Sequence, residues 1–202
     1  LKKIKNIRGI KEASGNIEYI KLIKKYIDDE FILLGGNDEL VKAMQQVFSY
    51  DGARKFDVEF MERVYKQKFE VVACTYDEVP ASVEASIPAG GHLEGNRIGF
   101  DAGGSDRKVS AVVNGEVIHS EEVVWFPKIN EDPEYHYQGI LDSFRRAAEK
   151  MPSVDAIGVS SAGIYIDNEV RVASLFIKVP QDEFDAKVVD MYIRAAKEYG
   201  DV

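Results

Sequence analysis

The stretch Ile98-Gly-Phe-Asp-Ala-Gly-Gly-Ser-Asp-Arg-Lys108, continuing through Val109-Ser-Ala-Val-Val113, decides how this chain is read. An apolar strand runs into a glycine turn, and a second strand leaves it. Asn114-Gly115 then joins that strand to Glu116–Val124, a strong short-range hairpin signal. Asp101 stands at the mouth of the first turn. Gly103 and Gly104 permit backbone angles that other residues resist and let a ligand approach the main chain, and Ser105 adds a hydroxyl. Successive free N–H groups in such a turn make an anion-binding concavity, and an aspartate beside it can hold a hydrated Mg²⁺. Spacing alone reads equally well as a plain hairpin whose glycines only make turns.

Outward from this stretch, composition sets the bounds. The chain has 202 residues, enough for one large or two small domains, and 45% hydrophobic content, enough for a core. A formal charge of −9 and a pI near 5.0 argue against nucleic-acid binding and against docking on anionic membranes. Cys74 is the single cysteine, so no intrachain disulfide forms, and a cytoplasmic location is expected. No apolar run reaches membrane-spanning length, no signal peptide is visible, and no Cys/His cluster suggests zinc. The chain opens at Leu1 rather than Met and stops at Val202, so both ends read as cut.

Residues 1 to 50 read as βαβα. Ile4, Ile7 and Ile10 lead into a strand ending near Lys11, and Asn16 is a fitting N-cap for a helix through Ile27. Phe31-Ile-Leu-Leu34 is the short apolar run of a buried parallel strand, and Asn37 or Asp38 caps a helix through Val47. A helical junction follows over 51–69, with a helix from Asp57 to Lys68. Phe69–Thr75 has the β-branched content of a strand, with Cys74 as a buried small hydrophobe. Residues 82 to 96 form a loop containing His92. After the hairpin, Pro133 suits the first turn of a helix to about Lys150, with Tyr135, His136 and Tyr137 at its start. Val154–Asp167 is a parallel-type strand ending in Ser160-Ser161-Ala162-Gly163, and Asp182–Tyr199 is an amphipathic helix.

Two family resemblances organise these elements. Gly99-Phe-Asp-Ala-Gly-Gly-Ser105, followed by the Asn114-Gly115 hairpin, resembles the first phosphate motif of the actin/hexokinase/Hsp70 ATPase superfamily. Within it, the ROK family of sugar kinases and repressors is most similar, with Ser105 where that family has threonine. The resemblance implies a ribonuclease-H-like lobe with a mixed sheet over 70–202. Gly103, Gly104 and Ser105 would bind ATP phosphates and Asp101 would hold Mg²⁺. The sugar would lie between Ser161-Ala162-Gly163 and Ser174, in a cleft near which the Tyr135–Tyr137 aromatics lie. Ala162 replaces that family's proline, and Ser174 replaces its asparagine. The family's catalytic aspartate strand and adenine lobe would fall beyond Val202.

The second resemblance is carried by Gly9-Ile-Lys-Glu-Ala-Ser-Gly-Asn16 and Leu33-Leu-Gly-Gly-Asn-Asp38. These look like the Schiff-base segment of the dihydrodipicolinate synthase/N-acetylneuraminate lyase family, which is built on (β/α)₈ barrels. The match puts Lys11 at the position of the lysine that condenses with pyruvate. Desolvation in a dry barrel mouth lowers such a lysine's pKa and makes it nucleophilic.

The resulting expectation is an α/β chain: a barrel-type βαβα fragment over 1–50, a junction, and a truncated ROK-like lobe over 70–202. The leading function is a fragment of an ATP-dependent sugar kinase, inactive alone, with a small-molecule sugar and a nucleotide as partners and a homo-oligomer left open. The alternatives are a non-catalytic sugar- or nucleotide-sensing domain and a pyruvate-dependent aldolase fragment. A chimera of two unrelated pieces would account for both resemblances.

Overall fold

A computed structural model of the chain describes residues 9–12, 18, 32–35, 38–74, 76–81 and 90–200. The chain divides into two compact units, Leu1–Ala85 and Ser86–Val202.

In the first unit, β1 (Gly9–Glu12) pairs in parallel with β2 (Ile32–Gly35), with Lys11 opposite Leu34. Parallel pairing needs a crossover between the strands. The N-cap and helix expected there lie outside the described residues, apart from Glu18. Two helices follow, α1 (Asp38–Val47) and α2 (Lys55–Tyr65). α2 begins two residues earlier and ends three residues earlier than the sequence suggested. It stops at Lys66, which is left-handed at φ 52°. Val58 and Val64 are the buried hydrophobics among the described residues of this unit, while Phe56 and Tyr65 are exposed. The Glu62 carboxylate ties the unit's end together, accepting from the Tyr50 hydroxyl at 2.7 Å and the Phe69 amide at 2.8 Å. The backbone bond from Phe69, then the Tyr50 hydroxyl, holds this carboxyl below its ordinary pKa.

Two expectations fail in this segment. Residues 69–74 form no strand, and Cys74 is exposed rather than buried. β-branched content marks a strand only where a partner strand is present, because pairing and burial supply the preference. None of the described strands pairs here.

The second unit holds a four-stranded mixed sheet in the order β5-β4-β3-β6. β3 (Asn96–Ala102), β4 (Asp106–Val113) and β5 (Glu116–Val124) form an antiparallel meander. Asn114 and Gly115 both have positive φ, 49° and 85°, as a two-residue type I′ turn requires. The chain then crosses through α3 (Pro133–Ala148) to β6 (Ala156–Ser161), which runs parallel to β3. Asp132 caps α3, its carboxylate accepting from the Glu134 amide at 2.8 Å, and Pro133 occupies the first turn. α3 lies on β3 and β4. Ile98, Phe100, Val109 and Ala111 meet Ile140, Phe144 and Ala147 in one core, where Phe100 and Phe144 pack edge to face at 5.4 Å.

Beyond Gly163 the chain forms a hairpin absent from the sequence reading: β7 (Ile164–Ile166) with β8 (Glu169–Val172). Asp167 and Asn168 turn it with φ of 54° and 62°. The single helix expected over Asp182–Tyr199 is two, α4 (Gln181–Lys187) and α5 (Met191–Lys197). The break has a local cause: the Val189 carbonyl accepts from the Val170 amide of β8 at 2.8 Å, so it leaves the helical ladder. No helix among the described residues is long and apolar enough to cross a membrane.

Candidate functional site

The carboxyl ends of parallel β3 and β6 lie side by side, where open α/β sheets commonly place their ligands. The register sets Asp101 against Ser160 and Ala102 against Ser161. The turn Gly103–Ser105 projects from the end of β3, and Ser161-Ala162-Gly163 from the end of β6. Gly163 in turn backs onto β8. A methyl group added there would come within 2.3 Å of the Val172 carbonyl and 2.9 Å of Ala173 Cβ. Ser174 follows directly, in a 3₁₀ turn with Leu175 and Phe176 buried behind it. The second unit therefore brings Asp101, Gly103, Gly104, Ser105, Ser161, Ala162, Gly163 and Ser174 to one end of its sheet. Asp101, Gly104, Ser105, Ala162, Gly163 and Ser174 are solvent-exposed there.

The glycine turn is built differently from the sequence expectation. Neither Gly103 nor Gly104 is among the residues with positive φ. Close approach is what demands glycine. A methyl at Gly103 would fall 2.5 Å from the Asp106 carbonyl, and one at Gly104 would fall 2.6 Å from Lys128 Cε. Trp125, 3% exposed, clamps the turn from beneath. Its indole N–H donates to the Gly103 carbonyl at 2.8 Å, and its amide donates to the Ser105 carbonyl at 3.1 Å. The Ser105 hydroxyl is engaged with the Asp106 carboxylate at 2.8 Å. Lys108, then Ser105, hold that carboxyl below its ordinary pKa.

Lys128 is a neighbour the sequence reading missed. It sits in the 3₁₀ turn Pro127–Ile129, which Pro127 fixes just after Trp125, and its ammonium lies against Gly104. Only the fold brings Phe126-Pro-Lys128 back onto the turn. His136, expected with its aromatic neighbours near a sugar cleft, is fully buried. Its ring nitrogens contact the carbonyls of Asp132 at 3.0 Å, Pro127 at 3.0 Å and Leu175 at 3.2 Å. It is a brace that joins the two 3₁₀ turns. Among the described residues no group of three or more His, Cys, Asp or Glu side chains could hold a metal ion.

In the first unit, Lys11 stands one residue before the end of β1. Its side chain lies outside the described residues.

Comparison with known proteins bears on this first unit. Residues 1–68 match the Dihydrodipicolinate synthetase family. Over 38 residues the chain is 53% identical to the 4-hydroxy-tetrahydrodipicolinate synthase of Escherichia coli O139:H28 (strain E24377A / ETEC). The same identity and span hold for the enzyme of that name from Shigella boydii serotype 18 (strain CDC 3083-94 / BS512). The aligned part is 19% of this chain and 13% of each relative. The N-terminal segment is thus similar to a dihydrodipicolinate synthase, as Gly9–Asn16 and Leu33–Asp38 suggested. The kinase reading is corrected by the same finding. The match points to a lyase-type segment, and no ROK relationship emerges for residues 70–202. The sugar-kinase, transferase and ATP-binding assignments are withdrawn, and ATP and Mg²⁺ lose the resemblance on which they rested.

Proposed function

We propose that residues 1–68 are a segment of a pyruvate-dependent Schiff-base lyase and that Lys11 is its reactive amine. The observation that carries this is the family match over these residues, which spans the parallel pair β1–β2 with Lys11 near a strand end. Catalytic groups of (β/α)₈ enzymes come from the carboxyl ends of their strands. The chemistry is amine condensation. The lysine nitrogen attacks the ketone carbon, water leaves, and the iminium that forms draws electrons from the neighbouring carbon. The deprotonated amine is the nucleophile, so an apolar setting that lowers its pKa speeds the step.

The described residues of the segment form one parallel pair of strands, where a (β/α)₈ site is enclosed by eight. The expected activity is imine formation at Lys11 without efficient turnover. Full turnover is a property of the relatives, of whose length the match covers 13%. Incubation with pyruvate and borohydride, followed by intact mass measurement, tests this reading. Borohydride delivers hydride to the imine carbon and fixes the adduct as a secondary amine. A single adduct supports the reading, and unmodified protein ends it.

For the second unit the fold reading is a ribonuclease-H-like lobe. It is supported by the meander β3-β4-β5 with a helical crossover to β6, parallel to β3 on its other side. The turn Gly103–Ser105, with the Lys128 ammonium against it, suits a small anion, and no nucleotide is assigned to it.

A further inference from the structure

The four-stranded sheet of the second unit ends on β5 at one side and on β6 at the other, and the two edges are built differently. β5 is guarded. Glu116, Glu121 and Glu122 lie along it, and its register against β4 shifts between Ala111 and Val112. Charges and bulges of this kind keep an edge from pairing with another chain. β6 has neither. Its residues, Ala156-Ile-Gly-Val-Ser-Ser161, include no charge and no proline, and its register against β3 is unbroken. No described strand pairs with its outer side, so that side presents a row of unpaired N–H and C=O groups. Gly158, Val159 and Ser160 are exposed, and for Gly158 this is exposure of the backbone itself.

An open cleft of about 280 Å³ lies beside this edge. β6 lines it through Ile157 and Val159, α5 through Ile193 and Ala196, and the β7–β8 hairpin through Asn168. Lys197 is the one charged residue of the lining. An apolar cavity of about 150 Å³ holds one benzene ring, so the cleft has room for about two aliphatic side chains. Successive side chains of a strand point to opposite faces, and Ile157 and Val159, two residues apart, share the face that lines the cleft. A strand added to β6 would send its own alternate side chains into the same space. Because α5 and the hairpin stand beside the edge, a second copy approaching through its own β6 would bring both of these elements into the cleft. A lone extended segment carries no such layer.

We propose that β6 is a docking edge for an extended segment of another polypeptide, apolar at alternate positions and acidic at one end. The segment's backbone completes the ladder of β6 and adds a strand to the sheet. Its apolar side chains fill the cleft over Ile157, Val159 and Ile193, and its carboxylate faces the Lys197 ammonium. This surface does not rest on the amine chemistry proposed for Lys11.

The test uses the full chain and the acetylated, amidated peptide Glu-Val-Thr-Val-Thr-Val as probe. Backbone amide NMR titration should show saturable binding with Kd at or below about 1 mM, shifts in β6, α5 and the β7–β8 hairpin, and slowed amide exchange along β6. A strand pairs through the N–H groups of one side only. Of the two forms of the peptide methylated on alternate backbone nitrogens, one should therefore bind about tenfold more weakly and the other about as well as the parent. The peptide with Gln in place of Glu should lose about threefold, less at high salt. Val159→Lys, which guards the edge at an exposed position, should lose about tenfold. Absence of saturation, equal binding of the two methylated forms, shifts confined to β5, or self-association of the chain that Val159→Lys abolishes overturns the proposal. If Val159→Lys fails to fold, the two methylated forms and the map of shifts in the unsubstituted chain decide in the same way.

Discussion

Gly103 and Gly104 are adjacent, but a methyl group would cost them differently. At Gly103 it would press on the Asp106 backbone carbonyl, which the β3–β4 hairpin holds in place. At Gly104 it would meet the end of the Lys128 side chain, which can swing away. Gly103→Ala should therefore destabilise the protein by about 1–3 kcal/mol, and Gly104→Ala by well under about 1 kcal/mol. Urea unfolding followed by fluorescence of Trp125, the chain's one tryptophan, would measure both. Equal losses would contradict the close-approach account. His136 offers a second residue-level test. Its imidazole is fully buried against three carbonyls, so His136→Ala should cost about 2–4 kcal/mol by opening a cavity and stranding those acceptors. At this scale the sequence showed which residues mattered more reliably than why. Gly103 is required, but for contact rather than for positive φ. His136 is important, but as a brace rather than near a cleft.

One carboxylate joins the elements of the second unit. Asp142 of α3 accepts from Arg107 of β4 at 2.8 Å, from Arg145 at 2.7 Å and from Arg146 at 2.8 Å. Arg146 also reaches Glu121 of β5 at 2.7 Å, and Arg107 reaches the Gly139 carbonyl and the Ser143 hydroxyl. Burial pushes the Asp142 carboxyl up, but the hydrogen bonds from Arg107, Arg145 and Arg146 outweigh it and hold the pKa at about 2, below its ordinary 3.8. A carboxylate depressed in the folded state stabilises above its unfolded pKa and loses that stabilisation as pH falls through the folded one. The contribution, about 1–2 kcal/mol in this partly wet setting, should be complete above about pH 4 and vanish toward pH 2. Asp142→Asn should be less stable at neutral pH and show a flatter stability profile over that interval. An unchanged slope between pH 4 and pH 2 would contradict this account.

Elements whose signals are local could be read from the sequence. The Asn114-Gly115 turn needs positive φ at both positions, and the Asp132-Pro133 start carries its own cap and fixed φ. Elements defined by distant partners could not. Residues 69–74 lack a strand to pair with, and Asp182–Tyr199 breaks because β8 draws the Val189 carbonyl away. The β7–β8 hairpin was legible in principle, since Asp167-Asn168 sits between Ile-Tyr-Ile and Glu-Val-Arg-Val, but it was absorbed into the preceding strand.

The two units differ as wholes in how much apolar surface they bury. The second has one continuous core from Ile98 to Ala195, whereas the described part of the first buries Val58 and Val64 and leaves Phe56, Met61 and Tyr65 partly or largely exposed. Hydrogen exchange should therefore be orders of magnitude faster in α1 and α2 than in β3, β4 and α3. Equal protection in both units would show that the first has a core of its own.

The central claim is that the N-terminal segment carries the amine of a Schiff-base lyase, and that this amine is Lys11. Site-resolved trapping tests it most directly: pyruvate and borohydride, then proteolysis and peptide mass mapping, beside a Lys11→Arg control. The account predicts one adduct concentrated on Lys11, in preference to Lys2, Lys3, Lys5, Lys21, Lys24 and Lys25, and absent from Lys11→Arg. An adduct spread evenly over those lysines, or retained in the Lys11→Arg protein, would contradict it.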